Sequence, residues 1–183
     1  MVWNDEKLIK TLEENGVVVM PTDTLYGIVG RALNASVVDR IYTIRKRNTQ
    51  KPCIILICDM EELKKFGIIL TKTKQKEIEK YKEPTSFIVD CENEKFKYLH
   101  RGINTLAFRI PVSQSLRNLL IKVGPLLVPS ANPEGLLPAK NIAEAKKYFG
   151  DLVNFYVDGG ELTGKPSKII KLHKDGSASI IRE

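Results

Sequence analysis

Four consecutive residues, Val17-Val18-Val19-Met20, offer no polar face to water. Such a run suits a strand covered on both sides, and doubly covered strands belong to sheets with helices packed against them. Residues 53–58 form a second run of this character, and 86–91, 104–110 and 153–157 read as further strands.

Helical spacing fills the intervals. Leu8, Ile9 and Leu12 predict a helix over 5–14 that Asn15-Gly16 stops. Ser36 with Asp39 reads as a capping box for a helix over 36–45, whose apolar stripe is Val37, Ile41 and Ile44. Shorter helical patches lie near 60–66 and 72–81. A helix over 115–123 closes at Gly124-Pro125, and Asn141 with Glu144 caps one that ends at Gly150. Residues 168–182 read as a hairpin turning at Lys174-Asp175-Gly176. The alternation predicts an α/β fold: a single domain over 1–183, with a twisted mixed sheet flanked by helices.

Several classes of function fall away. The longest apolar runs are far too short to span a bilayer, and the opening residues lack the order of a signal peptide, so the expected location is the cytoplasm. Cys53, Cys58 and Cys91 have no metal-ligand spacing and read as reduced, buried, small hydrophobes. His100 and His173 are isolated, so no histidine metal site is expected. The net charge of +7 favours an anionic partner, either a phosphorylated ligand or nucleic acid. Neither a P-loop nor a GxGxxG pattern occurs, so a nucleotide would have to be held another way.

Polar groups collect where the buried strands end, which is where ligands bind in open α/β sheets. Thr22, Asp23, Thr24 and Tyr26 crowd the segment Pro21-Thr-Asp-Thr-Leu-Tyr-Gly27, fit either for a small polar ligand or for a turn bonded to its own backbone. Arg45-Lys46-Arg47 ends a helix, where basic residues complement the dipole or bind phosphate and carboxylate oxygens. Ser130 and Asn132 flank Ala131 after a strand, in a segment of turn formers whose hydroxyl and amide also suit phosphate or ribose. Arg109, in an apolar strand, needs an anionic partner if it faces inward.

Together these motifs resemble the YrdC-like family of threonylcarbamoyl-AMP synthases, over nearly the whole chain. The resemblance is carried by Pro21 to Gly27, Arg45-Lys46-Arg47 before Pro52, Arg109-Ile110-Pro111, Ser130-Ala131-Asn132, Pro166-Ser167-Lys168 and Arg182. It implies a sheet around a large basic concave cavity. It also implies synthesis of L-threonylcarbamoyl-AMP from L-threonine, bicarbonate or carbon dioxide, and ATP, with magnesium accompanying the ATP phosphates. By motif match Thr22, Thr24 and Tyr26 would line the threonine pocket, and Arg45 and Arg47 would act on carbamate and phosphate. Arg109, Ser130, Asn132, Ser167 and Arg182 would hold the nucleotide. Downstream partners would be the proteins that transfer threonylcarbamoyl to tRNA, with tRNA or double-stranded RNA as possible direct contacts.

The chain departs from the family pattern at three points. Arg45 stands where lysine is usual, Glu134 where a hydroxyl is usual, and Lys168 where threonine is usual. A carboxylate beside phosphates is unfavourable unless it points away or meets a metal. These departures keep an alternative open, a non-catalytic relative that binds RNA or ribosomes through the same basic concavity.

Overall fold

The computed structural model describes residues 2–183. Asp5 caps the first helix, α1 (Glu6–Glu13), by accepting the Leu8 amide at 2.9 Å, and Leu8 and Leu12 are buried beneath it. The apolar run follows as β1 (Val18–Pro21). Val17 and Val19 join one hydrophobic cluster while Val18 and Met20 join the other, as the pleat requires of a strand covered on both faces.

A strand that the sequence did not announce comes next. Residues Tyr26–Arg31 form β2, antiparallel to β1, so the polar segment after Pro21 is the tight turn of a hairpin. Its two glycines mask the strand signal, and one of them admits the next helix. A Cβ at Gly30 would lie 2.4 Å from Val37 Cγ1, so only glycine lets the helix approach this closely. That helix, α2 (Ala35–Ile44), is capped by Asn34 rather than by Ser36. Asn34 Oδ1 accepts the Val37 amide at 3.2 Å and the Ser36 hydroxyl at 2.7 Å. Ser36 already lies inside the first turn and supports the cap from there.

Strand β3 (Ile54–Leu56) occupies only the centre of its predicted run, and the patch at Met60–Phe66 is a 3-10 helix ended by Gly67 in the left-handed region. Then follow α3 (Lys72–Glu79), β4 (Thr85–Asp90), α4 (Lys97–His100), β5 (Thr105–Arg109) and α5 (Gln114–Val123). The remainder is β6 (Leu126–Leu127), α6 (Ile142–Phe149), β7 (Phe155–Tyr156) and the hairpin β8 (Lys168–Leu172) with β9 (Ala178–Arg182). The strand foreseen at 153–157 shrinks to two residues, Phe155 and Tyr156, paired with Val18 and Val19, while the Asn154 and Val157 amides donate to Val17 O and Val19 O. All three cysteines are buried and unbridged.

The nine strands form one mixed sheet in the order β7-β1-β2-β6-β3-β5-β4-β8-β9. β1–β7, β3–β5 and β4–β8 are parallel, and the other neighbours antiparallel. Helices α1 and α5 bury Leu12, Leu116 and Leu120 on one cluster, while α2, α6 and the 3-10 helix bury Ile41, Phe149 and Phe66 on the other. None of the helices among the described residues is long and apolar enough to cross a membrane.

This topology joins distant motifs. Gly27 bridges Ser130, and the Ala131 amide donates to Tyr26 O at 2.8 Å, so the segments 21–27 and 129–132 lie side by side. Arg109, at the end of β5, pairs in register with Ser86 on β4.

The cap assignment is open to test. Asn34→Ala should lower stability by about 1 kcal/mol in chemical denaturation, the usual cost of losing an N-cap. Ser36→Ala should cost less than about 0.5 kcal/mol in the same experiment, as a substitution outside the cap position.

Candidate active site

The gathered segments enclose a cleft of about 490 Å³, within the range of about 300–1,000 Å³ usual for small-molecule sites. Nine of the ten residues singled out in the sequence line it: Thr22, Thr24 and Tyr26 from the β1–β2 turn, Arg45 and Arg47 beyond α2, then Arg109, Ser130, Ser167 and Arg182. Asn132 stands behind this wall and acts through Arg45.

Arg45 is buried, 2% exposed, in the gap between α2 and the turn after β6. Its Nε donates to Asn132 O at 2.8 Å, and Nη2 donates to Asn132 Oδ1 at 3.2 Å and Ser130 Oγ at 3.4 Å. Ser130 Oγ in turn donates to Asn132 Oδ1 at 2.6 Å. Asn132 turns its amide nitrogen away, donating to Pro133 O and Leu136 O. Both oxygens of Asn132 thus serve Arg45, and no lysine could reproduce this fork of donors. Burial, and then the neighbouring Arg47, lower Arg45 to about 10, so it remains cationic at neutral pH. Its Nη1 finds no hydrogen-bond partner among the described residues.

Arg109, the last residue of β5, is buried and faces a carboxylate, the anionic partner that an inward-facing arginine needs. Its Nη2 lies 3.2 Å from Asp23 Oδ1, with the two side chains 5% and 7% exposed. Nη1 donates to Thr24 Oγ1 at 2.8 Å, and Nη2 reaches Thr22 Oγ1 at 3.5 Å. The Val112 amide donates to Asp23 Oδ2 at 2.9 Å and fixes the carboxylate. Arg109 therefore organises the same turn that carries the two threonines. Its Nε is also unpartnered.

The third wall is an irregular segment, residues 157–167, tied down by Tyr26. The Tyr26 hydroxyl donates to Gly160 O and accepts from the Gly159 amide, both at 2.8 Å. This phenol is thus occupied in holding the backbone, and burial raises its pKa. Farther along, a Cβ at Gly164 would fall 2.3 Å from Thr24 O, so this wall lies directly on the threonine turn. Ser167 Oγ is 2.9 Å from Ser86 Oγ, and Arg182 donates Nε and Nη2 to Ser167 O at 3.1 and 2.7 Å.

The fourth wall is the loop carrying Arg47. Arg47 donates Nε to Lys51 O at 3.0 Å and Nη2 to Pro52 O at 3.1 Å. Lys51 also meets Glu134 at 2.6 Å, which neutralises the carboxylate that stands where the family pattern has a hydroxyl. Lys168, at the usual threonine position, turns to Glu83 at 2.7 Å.

Sequence reasoning missed the floor. Ile54, Ala107 and Ile88 are lateral neighbours across β3, β5 and β4, and they form an apolar row two residues from Arg109 along β5. Their role depends on strand order, which leaves no local signal. Asp23 carried a signal, since it lies within the motif, but nothing in the sequence connected it to Arg109.

Comparison with known proteins agrees with this architecture. The profile of the Sua5/YciO/YrdC family, described as "Telomere recombination", matches residues 10–183. A protein of Methanocaldococcus jannaschii, provisionally named a threonylcarbamoyl-AMP synthase, is 32% identical over 96% of this chain and 83% of its own length. The threonylcarbamoyl-AMP synthase of Actinobacillus succinogenes is 28% identical over 98% of this chain and 99% of its own. Among solved structures, P. abyssi Sua5 complexed with L-threonine superposes with a TM-score of 0.87 at 23% identity. The match covers all of this chain and 54% of the Sua5 chain. E. coli YciO superposes with a TM-score of 0.80 at 22% identity, covering 97% and 87% of the two chains. The chain belongs to the Sua5/YciO/YrdC family.

The buried ion pair makes a clear prediction. Asp23→Ala leaves Arg109 charged and uncompensated, and should cost about 3–5 kcal/mol in equilibrium unfolding. Gly164→Ala, whose new methyl meets the backbone of Thr24, should cost about 1–3 kcal/mol in the same measurement.

Proposed function

We propose that the protein is a threonylcarbamoyl-AMP synthase. It joins L-threonine, bicarbonate or carbon dioxide, and ATP into L-threonylcarbamoyl-AMP, and releases pyrophosphate. The observation that carries the reading is the convergence of four guanidinium groups, Arg45, Arg47, Arg109 and Arg182, with the hydroxyls of Thr22, Thr24 and Ser130 on one cleft. A cluster of cationic donors around one cleft suits an anionic ligand, such as a triphosphate or a carboxylate. The names of the relatives and the L-threonine bound to P. abyssi Sua5 support the choice of substrate.

In this reading the threonine amine adds its lone pair to carbon dioxide and loses a proton, giving a carbamate; from bicarbonate the same carbamate forms as a C–O bond breaks and water leaves. A carbamate oxygen attacks the α-phosphorus of ATP, and the bond to the bridging oxygen breaks as pyrophosphate departs. Negative charge grows on the phosphoryl oxygens, and fixed guanidinium donors stabilise it without reorganising. Arg45 and Arg47 serve this role, with Arg45 held by Ser130 and Asn132. Thr22 and Thr24 offer hydroxyls to the amino acid, and Arg109 sets their orientation. Tyr26 shapes the pocket through the segment it holds, while Ser167 and Arg182 border the nucleotide. Holding the reactants in line supplies most of the remaining rate.

Magnesium would arrive on the ATP phosphates. Asp23 and Glu134, the carboxylates of the two motif turns, are engaged by Arg109 and Lys51, so the phosphates rather than protein carboxylates would hold the ion. The product would pass to proteins that transfer threonylcarbamoyl to tRNA.

Pyrophosphate release from ATP and bicarbonate should depend on L-threonine, with L-serine much weaker. Arg47→Ala should lower kcat/KM by roughly 100- to 1,000-fold, the scale for losing one transition-state donor, with a circular dichroism spectrum like that of the wild type. Pyrophosphate release indifferent to threonine would overturn the reading. RNA binding with a steep salt slope and no turnover would instead favour the non-catalytic alternative.

A further inference from the structure

The turn at Glu134 and the loop at 45–52 are joined by more bonds than either needs for its own shape. The Glu134 amide donates to Arg45 O at 2.8 Å. Its carboxylate accepts from the Asn48 amide through one oxygen and from Lys51 Nζ, at 2.6 Å, through the other. All three contacts fall on the segment that leaves α2 and carries Arg45 and Arg47. Lys46, at φ 50°, is the left-handed residue that ends α2, its amide donating to Thr43 O and the Arg47 amide to Tyr42 O, both at 3.0 Å. Those bonds close the helix, and Glu134 ties the segment beyond it to the neighbouring turn.

The support leads to Arg47. The carbonyls that hold the Arg47 guanidinium are those of Lys51 and Pro52. Lys51 is the residue whose ammonium Glu134 grips, and its carbonyl also accepts the Tyr42 hydroxyl at 2.9 Å. Lys51 and the Asn48 amide hold the Glu134 carboxyl below the usual carboxylate range, so it is charged at neutral pH. A Ser hydroxyl, the family's usual group at this position, is two bonds shorter and carries no charge to pair with Lys51.

We infer that Glu134 is a positioning residue for Arg47: it latches the 46–52 loop to the 133–135 turn and presets that guanidinium at the wall of the cleft. This inference rests on the synthase reading of the cleft, since it assigns Arg47 to the reacting phosphate and carbamate. It also explains how an acid sits beside an anion site. The charge of Glu134 is spent on Lys51 and a backbone amide, both on the loop it fixes.

A mutant cycle tests the latch, with threonine-dependent pyrophosphate release as readout. Glu134→Ala should lower kcat/KM for ATP roughly 10- to 100-fold, the scale of displacing a catalytic group without removing it. Glu134→Gln keeps an acceptor for the Asn48 amide and loses the ion pair, so it should recover part of that loss. The double variant with Arg47→Ala should be no slower than Arg47→Ala alone, because Glu134 acts through Arg47. Multiplying effects in the double variant would overturn the proposal. Hydrogen exchange supplies a second readout that does not depend on turnover. In Glu134→Ala the amides of 46–51 should exchange faster while those of the sheet keep their protection, and unchanged exchange at 46–51 would also overturn the latch. Wild-type protein that releases no pyrophosphate with threonine would count against the synthase reading, and the exchange experiment would still decide the latch.

Discussion

A buried guanidinium holds the cleft together. Arg45 lies at the end of α2, where the helix dipole favours a cation, and its fork of donors clasps the turn that follows β6. Withdrawing that charge from water is costly, and three acceptors from Ser130 and Asn132 offset the cost only in part. The remaining nitrogen, Nη1, is buried without a hydrogen-bond partner among the described residues. The same contacts tie the end of α2 to the turn after β6, both of which line the cleft.

Arg109 repeats the design on the other side. It is tied to Asp23 and hydroxyl groups of the β1–β2 turn, again with one nitrogen unspent. The two arginines come from different elements and serve different turns. Around them the irregular segments are secured by backbone contacts: Tyr26 grips Gly159 and Gly160, Arg182 grips the Ser167 carbonyl, and Glu134 grips Asn48 and Lys51. Irregular backbone placed by side chains from regular elements gives a site both rigid walls and loops able to yield at one contact.

Much of the layer plan was legible. Val17 to Met20 were readable as a strand buried on both faces because no alternation interrupts them, and the leucines of α1 were readable by their spacing. Strand β2 was hidden because Gly27 and Gly30 imitate a turn, although Gly30 is there to admit Val37. The α2 cap was misassigned by two residues because Ser36 and Asn34 are both good caps, and only backbone geometry chooses between them. At the site, nine of the ten residues singled out line one cleft, and each was legible because its motif is local. Asn132 had the right neighbourhood but does not line the cleft, since its side chain turns toward Arg45 and Leu136.

By itself the sequence determined the alternation of buried strands and helices, the polar turns at strand ends and the motifs that identify the family. Each depends on residues close together in the chain, through side-chain periodicity and backbone preference. Tertiary structure alone decided that Asp23 would meet Arg109, that Ile54, Ala107 and Ile88 would make one floor, and that Glu134 would hold the loop of Arg47. These contacts span tens of residues and exist only after strand order and register bring the segments together. Charge and hydrogen bonding act over a few ångströms, and no local pattern records which distant residue will arrive within that reach.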